Sequence, residues 1–218
     1  MQRPYKVLLV DDHPIIRQGL AELINREADM TVCAQAESGA AAIDLTEESQ
    51  PDLALVDISL DDMNGLVLIK SLKSRQRNLR VLVLSMHDET LYAERALRAG
   101  AHGYIMKREA PTRVITGIRR VLSGEVYLSD ELSARIMRKF ANGSDGADES
   151  PVARLSDREL EVYNHIGQGL KTSQIASKLN LSVKTIETYR EHIKEKLSLN
   201  DATELVQSAI KWVHGEGS

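Results

Sequence analysis

Cysteine is almost absent from this chain: Cys33 is the only one in 218 residues. An intrachain disulfide framework is therefore excluded, and a reducing compartment is expected. No set of histidines and cysteines has the spacing of a zinc site either. Aromatic residues make up 4% of the chain, so a core has to be built from aliphatic side chains. No apolar run approaches the ~20 residues a membrane span needs. The opening MQRPYKVLLVDD passes straight into a strand-like segment, without the apolar region and cleavage site of a signal peptide. These absences predict a cytoplasmic protein with no membrane association. Positive charge is not in excess: the net charge is −4. From residue 151 onward nine basic and nine acidic residues cancel, so the earlier part carries the whole imbalance. That balance does not advertise a nucleic-acid binder.

The chain is 42% hydrophobic and 28% charged, enough to bury a core. Through the first ~125 residues, short apolar runs alternate with amphipathic stretches. The runs are Val7–Val10, Thr31–Ala36, Leu53–Val56, Val81–Leu84 and Tyr104–Met106. Most are rich in Val, Leu or Ile, as parallel strands buried on both faces are. Between the first two, Ile15, Ile16, Leu20, Leu23 and Ile24 recur at helical spacing after Pro14, which a first helical turn tolerates. Ser38 reads as another helix start. Alternating strands and helices imply right-handed βαβ units and an open parallel sheet.

A further helix is expected from Ser129 or Asp130. The stretch ANGSDGADESPVAR then lacks apolar periodicity and reads as a flexible linker, about 14 residues spanning roughly 20 Å. From Leu155 onward the pattern is helical. Ser156 and Glu159 form a capping box, Gly167 and Gly169 end the first helix, and three more helices follow, the second ending near Asn180 and the third starting at Ser182. The tight LNLS turn between those two makes a candidate helix-turn-helix.

In an open α/β sheet, ligands bind outside the carboxyl ends of the strands. Here the first strand ends in Asp11 and Asp12, the third in Asp57, the fourth in Ser85, and the fifth runs from Tyr104 to Lys107. One such aspartate alone is ordinarily a cap or turn residue, and a lone Lys107 would be a solvated surface residue. The coincidence of all of them at one rim is what carries weight. Three carboxylates crowded together repel unless a cation joins them. Oxygen ligands with room for water suit Mg2+. A lysine and a hydroxyl facing that site suggest a phosphoryl group, with one carboxylate as the nucleophile. His13 and His87 lie near the rim and read as incidental.

VLLVDDHP, LALVDISLDDMNG, VLVLSMHD and AGAHGYIMK resemble the receiver domain of bacterial two-component response regulators, over residues ~5 to 125. The resemblance implies a flavodoxin-like (βα)5 domain in which Asp57 accepts a phosphoryl group from a sensor histidine kinase. It implies that Asp12 and Asp57 hold Mg2+, with Asp11 directly or through water, and that the Ser59 carbonyl is the backbone ligand. Ser85 takes the switch hydroxyl position, Tyr104 the switch aromatic and Lys107 the phosphate-pairing lysine. One departure stands out: the family usually has proline where this chain has Asp61. Asp62 reads as a loop residue.

LSDRELEVYNHIGQGLKTSQIASKLNLSVKTIETYREHIKEKL resembles the LuxR-type DNA-binding domain, an all-α four-helix unit. Together the two resemblances imply the NarL/FixJ subfamily, with a receiver at 1–125, a connecting helix and linker at 126–154, and the helix-turn-helix domain at 155–218. On the third helix of that domain Ile186, Tyr189, Ile193 and Leu197 form the core stripe. Lys184, Glu187, Thr188, Glu191 and Glu195 lie opposite, with Lys194 at the edge, and Arg190 belongs to the same candidate DNA-contacting set. Lys171 and Thr172, and Ser182 and Thr185 on the reading helix, are placed to hold phosphate. Glu187 and Glu191 sit awkwardly against DNA; a glutamate accepting from cytosine N4 would reconcile them. A neutral monomer binds double-stranded DNA weakly, so a homodimer on two-fold related sites is expected when the protein is active. Such a regulator would be associated with the nucleoid while bound. It would not be an enzyme beyond its own phosphoryl transfer and dephosphorylation. A Mg2+-dependent phosphatase would need a general acid two residues after the nucleophile, where Ser59 stands. A regulator working through protein contacts alone is the other alternative.

Overall fold

The computed structural model describes residues 3–86, 89–109, 111–142 and 151–213. The chain divides into two compact units, Met1–Gly143 and Ser144–Ser218. His87 and residues 214–218 lie outside the described residues.

In the first unit five strands, β1 (Tyr5–Val10), β2 (Met30–Ala36), β3 (Leu53–Val56), β4 (Arg80–Ser85) and β5 (Gly103–Met106), form one sheet in the order β2-β1-β3-β4-β5. All four pairings are parallel. They are followed in turn by α1 (Pro14–Asn25), α2 (Gly39–Ser49), α3 (Gly65–Arg75), α4 (Glu89–Ala99) and α5 (Pro111–Leu122). This is the flavodoxin-like order, whose direction of winding reverses between β1 and β3. Val7–Val10, Leu53–Val56 and Val81–Leu84 are buried throughout, as strands covered on both faces must be. The strands run one or two residues past several of the apolar runs, because edge positions such as Tyr5 and Lys6 pair without being buried.

The helix starts follow local chemistry. Pro14 opens α1, and the Ser38 hydroxyl accepts from the Ala41 amide at the start of α2. One residue of the expected apolar stripe departs from it: Ile15 is 86% exposed. It sits on the first turn of α1, whose buried positions are Ala21 and Ile24, about two turns further on.

After α5 the chain returns along the open edge of β5. The Tyr104 amide donates to the Tyr127 carbonyl at 2.9 Å and the Tyr127 amide to the His102 carbonyl at 3.0 Å. Ser129 then caps α6 (Asp130–Asn142), its hydroxyl accepting from the Leu132 amide. The same hydroxyl donates to the Glu89 carboxylate at 2.5 Å, and Arg135 pairs with Glu94 at 3.6 Å. So α6 is tied to α4. The stretch read as a linker is helical at both ends: Ala141 and Asn142 close α6, and Pro151–Arg154 form a 3-10 turn. The residues between, 143–150, lie outside the described residues.

The second unit contains α7 (Asp157–Gly167), α8 (Thr172–Lys178), α9 (Val183–Leu197) and α10 (Ala202–Val213). The capping box at Ser156 and Glu159 is formed. Ile186 and Ile193 of α9 are fully buried, while Tyr189 and Leu197 are half-buried. Tyr163 joins α7 to α10, donating to or accepting from the Ser208 hydroxyl at 2.7 Å and lying 5.5 Å from the Trp212 ring. Between α8 and α9 the chain turns through Asn180 at φ 53°, a conformation asparagine tolerates.

The loop from Asp57 to Gly65 closes tightly. Gly65 donates to the Ile58 carbonyl, and a Cβ there would lie 2.5 Å from Ile58 Cα and 2.6 Å from the Asp57 carbonyl oxygen. Gly65→Ala must push this backbone apart, and is expected to destabilise the first unit by about 1–3 kcal/mol in urea unfolding. A stability equal to the wild type would show that the loop has room to spare.

Candidate functional site

The carboxyl ends of β1, β3, β4 and β5 meet because the strands are in register. Val10 pairs with Val56, and Ser85 with Met106. The residues immediately after them are therefore neighbours. The Asp57 amide donates to the Val10 carbonyl at 2.9 Å, and the Lys107 amide to the Ser85 carbonyl at 2.8 Å.

Three charges are buried there together. Lys107 Nζ lies 2.7 Å from Asp11 Oδ2 and 2.7 Å from Asp57 Oδ2. All three side chains are at most 5% exposed. The second Asp57 oxygen, Oδ1, accepts from the Ser59 amide at 3.1 Å. Burial pushes the Asp57 carboxyl above the usual carboxylate range; Lys107 and the Ser59 amide pull it back only in part, and Asp11 adds to the rise. Burial also works against the Lys107 charge, but Asp57 and Asp11 outweigh it and hold that ammonium above its ordinary value.

Asp12 and His13 complete the group. Asp11 Oδ1 accepts from the His13 amide at 2.9 Å. Asp12 Oδ1 comes within 2.6 Å of His13 Nδ1 but off the direction of a hydrogen bond, so this buried oxygen has no hydrogen-bond partner. One ligand atom each from Asp11, Asp12, His13 and Asp57 lie within 4.8 Å of one another. Clustered carboxylates with an unsatisfied buried oxygen are a donor set that can hold a metal ion, so the residues present fit one.

The sequence-predicted rim residues thus converge: Asp11, Asp12, Asp57 and Lys107 touch or adjoin one another. Ser59 lies on the loop beside them, and Ser85 and Tyr104 are buried on β4 and β5. His13, read as incidental, adjoins both Asp11 and Asp12. Its position directly after two acids was the available signal.

In the second unit the outer face of α9 is as expected, with Lys184, Glu187, Thr188, Glu191 and Glu195 exposed. Three of the candidate contact residues are engaged within the protein. Ser182 Oγ caps α9 by accepting from the Thr185 amide and lies 2.7 Å from Thr185 Oγ1, so both hydroxyls are engaged with each other. Lys194 is half-buried and paired with Glu191 at 2.9 Å. Lys171 is exposed before α8, its amide bonded to the Gln174 side chain. Thr172 and Arg190 are half-buried.

The residue that orients α9 was half-seen in the sequence. Glu159 is buried and accepts from the Ser156 amide at 2.7 Å and from Lys196 Nζ at 2.6 Å. Burial opposes its charge, yet Lys196 and Ser156 hold its carboxyl below the usual range. The capping box revealed one of these bonds. The other spans 37 residues and left no local signal.

Comparison with known proteins gives two family matches. Residues 7–119 match the response regulator receiver domain, and residues 153–209 match the bacterial regulatory proteins of the luxR family. The oxygen regulatory protein NreC of Staphylococcus aureus is 36% identical over 210 residues, covering 94% of this chain and 97% of its own. NreC of Staphylococcus epidermidis is 34% identical with the same coverage. Among solved structures, RcsB of Salmonella enterica serovar Typhimurium, bound to promoter rprA in the presence of phosphomimetic BeF3−, is similar with a TM-score of 0.68 and 26% identity, over 94% of this chain and 98% of RcsB. A LuxR-family response regulator of Aurantimonas is 30% identical with a TM-score of 0.59, covering 63% of this chain and 99% of its own.

The buried acid group predicts a sign for stability. An Asp57 carboxyl raised above its unfolded value opposes folding once ionised. That penalty is absent at acid pH, grows as pH rises past the unfolded value, and is complete above the raised one. In metal-free buffer Asp57→Asn is therefore expected to unfold at a higher temperature than the wild type at pH 7, with the gap narrowing toward pH 3. A variant less stable than the wild type at pH 7 would mean that the Lys107 pairing outweighs burial.

Proposed function

We propose, for a chain that belongs to the response regulators in which a receiver domain is joined to a LuxR-type DNA-binding domain, that Asp57 is the aspartate through which it is controlled. The protein is a phosphorylation-controlled transcriptional regulator. The observation that carries the assignment to Asp57 is its buried carboxylate, held by Lys107 beside Asp11 and Asp12 at the sheet rim.

The raised basicity of Asp57 suits a nucleophile, and the neighbouring ammonium favours its ionised form against the effect of burial. An Asp57 oxygen attacks the phosphorus of a phosphohistidine on the sensor kinase. The P–O bond forms, the P–N bond breaks, and the imidazole leaves and takes up a proton. Asp11, Asp12 and Asp57, with the Ser59 carbonyl, would hold Mg2+, which supplies positive charge against the phosphoryl oxygens. Lys107 exchanges a carboxylate contact for a phosphoryl oxygen, and the Ser85 hydroxyl donates to the same group.

The switch then passes along β4 and β5. Ser85 moves toward the phosphoryl group, and Tyr104 repositions on the adjacent strand. Turning a 1:99 equilibrium into 99:1 takes about 5.5 kcal/mol of differential stabilisation, and three charge-assisted contacts can supply a large part of it. The bonds of Tyr104 to Tyr127, of Ser129 to Glu89 and of Arg135 to Glu94 support a route from this edge into α6. We divide the chain accordingly into a receiver at 1–125, a connecting segment at 126–154 and a DNA-binding domain at 155–218. The active form is a cytoplasmic homodimer on two-fold related sites, with α9 in the major groove. Lys171, Thr172, Ser182, Lys184, Thr185, Glu187, Thr188, Arg190, Glu191 and Lys194 form the contacting set. Lys184 is exposed and without an acidic partner among the described ion pairs, which suits a phosphate contact.

With a small-molecule phosphoryl donor and Mg2+, the wild type is expected to shift to a larger species on gel filtration and to bind genomic fragments more tightly. Asp57→Asn is expected to do neither, and identical behaviour of the two proteins would reject phospho-control through Asp57. A salt-insensitive interaction with DNA, or none, would favour a regulator acting through protein contacts alone. On the reading face, Glu187→Ala is expected to relax preference at one cytosine position in a site-selection assay by about 1–3 kcal/mol. An unchanged preference would remove Glu187 from base readout.

A further inference from the structure

An isolated helix start leaves its first amides without partners. Those of α2 are all accounted for, from two different places. The Ala41 amide bonds the Ser38 hydroxyl, and the Ala42 amide bonds the Ser38 carbonyl. The first two, Gly39 and Ala40, are taken by Asp62, at 2.9 Å to Oδ1 and 3.0 Å to Oδ2. Asp62 belongs not to α2 but to the loop that follows the phosphoryl-accepting Asp57. Both carboxylate oxygens are used, one on each amide.

A second contact joins the same two segments. Gly39 lies against the side chain of Met63: a Cβ on Gly39 would come 2.4 Å from Met63 Cγ and 2.5 Å from its sulfur. Glycine at the first position of α2 is what lets Met63 approach. At its base the loop is closed on itself by the Ser59–Asn64 bridge and the Gly65–Ile58 bond, and Asn64 caps α3 by accepting from the Leu66 amide. Its outer part, by contrast, is fixed to α2, which packs on β1, β2 and α3. The backbone between these anchors carries Ser59, Leu60 and Asp61.

We propose that Asp62 is a positioning residue for phosphoryl transfer: by clamping the loop to the N-terminus of α2, it holds the Ser59 backbone in place beside Asp57. The inference rests on the assignment of Asp57 and of the Ser59 carbonyl as a cation ligand. A charged carboxylate near the positive end of a helix is favourable on its own account. Bound to two amides, it also restrains the loop. Releasing it removes none of Asp11, Asp12 and Asp57; it frees the loop and the first two amides of α2.

Calorimetric titration of the metal-free full-length protein with MgCl2 tests this, alongside hydrogen exchange of the Gly39 and Ala40 amides. Asp62→Ala is expected to lose protection at both amides and to weaken Mg2+ binding at least about threefold. Asp62→Asn, which keeps one acceptor, is expected to lie between it and the wild type. Ser38→Ala is the control: it removes a cap from the same helix without touching the loop, and should bind Mg2+ as the wild type does. Wild-type Mg2+ affinity in Asp62→Ala, or equal weakening in Ser38→Ala, would overturn the positioning role alone. A wild type with no saturable Mg2+ binding, or with binding that Asp57→Ala leaves intact, would overturn the underlying assignment as well.

Discussion

The first unit is organised around one buried ammonium. Lys107 sits between Asp11 and Asp57 with almost no water, and the two carboxylates could not share that space without it. Each charge comes from the end of a different strand, so the contact exists only if β1, β3 and β5 keep their order and register. The same arrangement leaves the carboxylate of Asp57 more basic than usual and in contact with the Lys107 ammonium. Two effects are set against each other here: burial opposes the ionised Asp57, while Asp57 and Asp11 favour the charged Lys107.

The second unit depends on a comparable contact of simpler kind. Glu159 serves the start of α7 and the end of α9 at once, through the Ser156 amide and Lys196. It ties the last turn of α9 to the start of α7, while the opposite face of α9 is exposed. Glu159 and Lys196, and Glu191 and Lys194, cancel in pairs, so the zero net charge from residue 151 onward stands. Lys171 is exposed, and Lys184 is exposed beside acids of the same helix face.

The loop after Asp57 shows where sequence reading stops. Its acids looked alike in LALVDISLDD. Asp57 was legible because an apolar strand ended on it. Asp62 looked like an ordinary loop residue, and it is one, but its carboxylate caps a helix 22 residues earlier in the chain. Asp61, which stands where the family usually has proline, is exposed beside it. Rigidity that proline would lend through its fixed φ can also come from a neighbour's hydrogen bonds. Ile15 marks a different limit, because helical periodicity counts apolar residues without knowing which turns of α1 find a surface to cover them.

The sequence by itself determined the strands, the helix caps, the rim position of Asp11, Asp12, Asp57, Ser85 and Lys107, and the helix-turn-helix. These follow from periodicity, from apolar runs that end on polar residues, and from local hydrogen-bond chemistry, all of which act over a few residues. Only the tertiary structure decided which oxygens Lys107 bridges, that His13 joins the acids, that Glu159 meets Lys196, and that Asp62 reaches α2. Those contacts join segments that no local pattern relates, and charged or polar groups choose partners by distance in space. Chain separation says nothing of that distance until the sheet has formed.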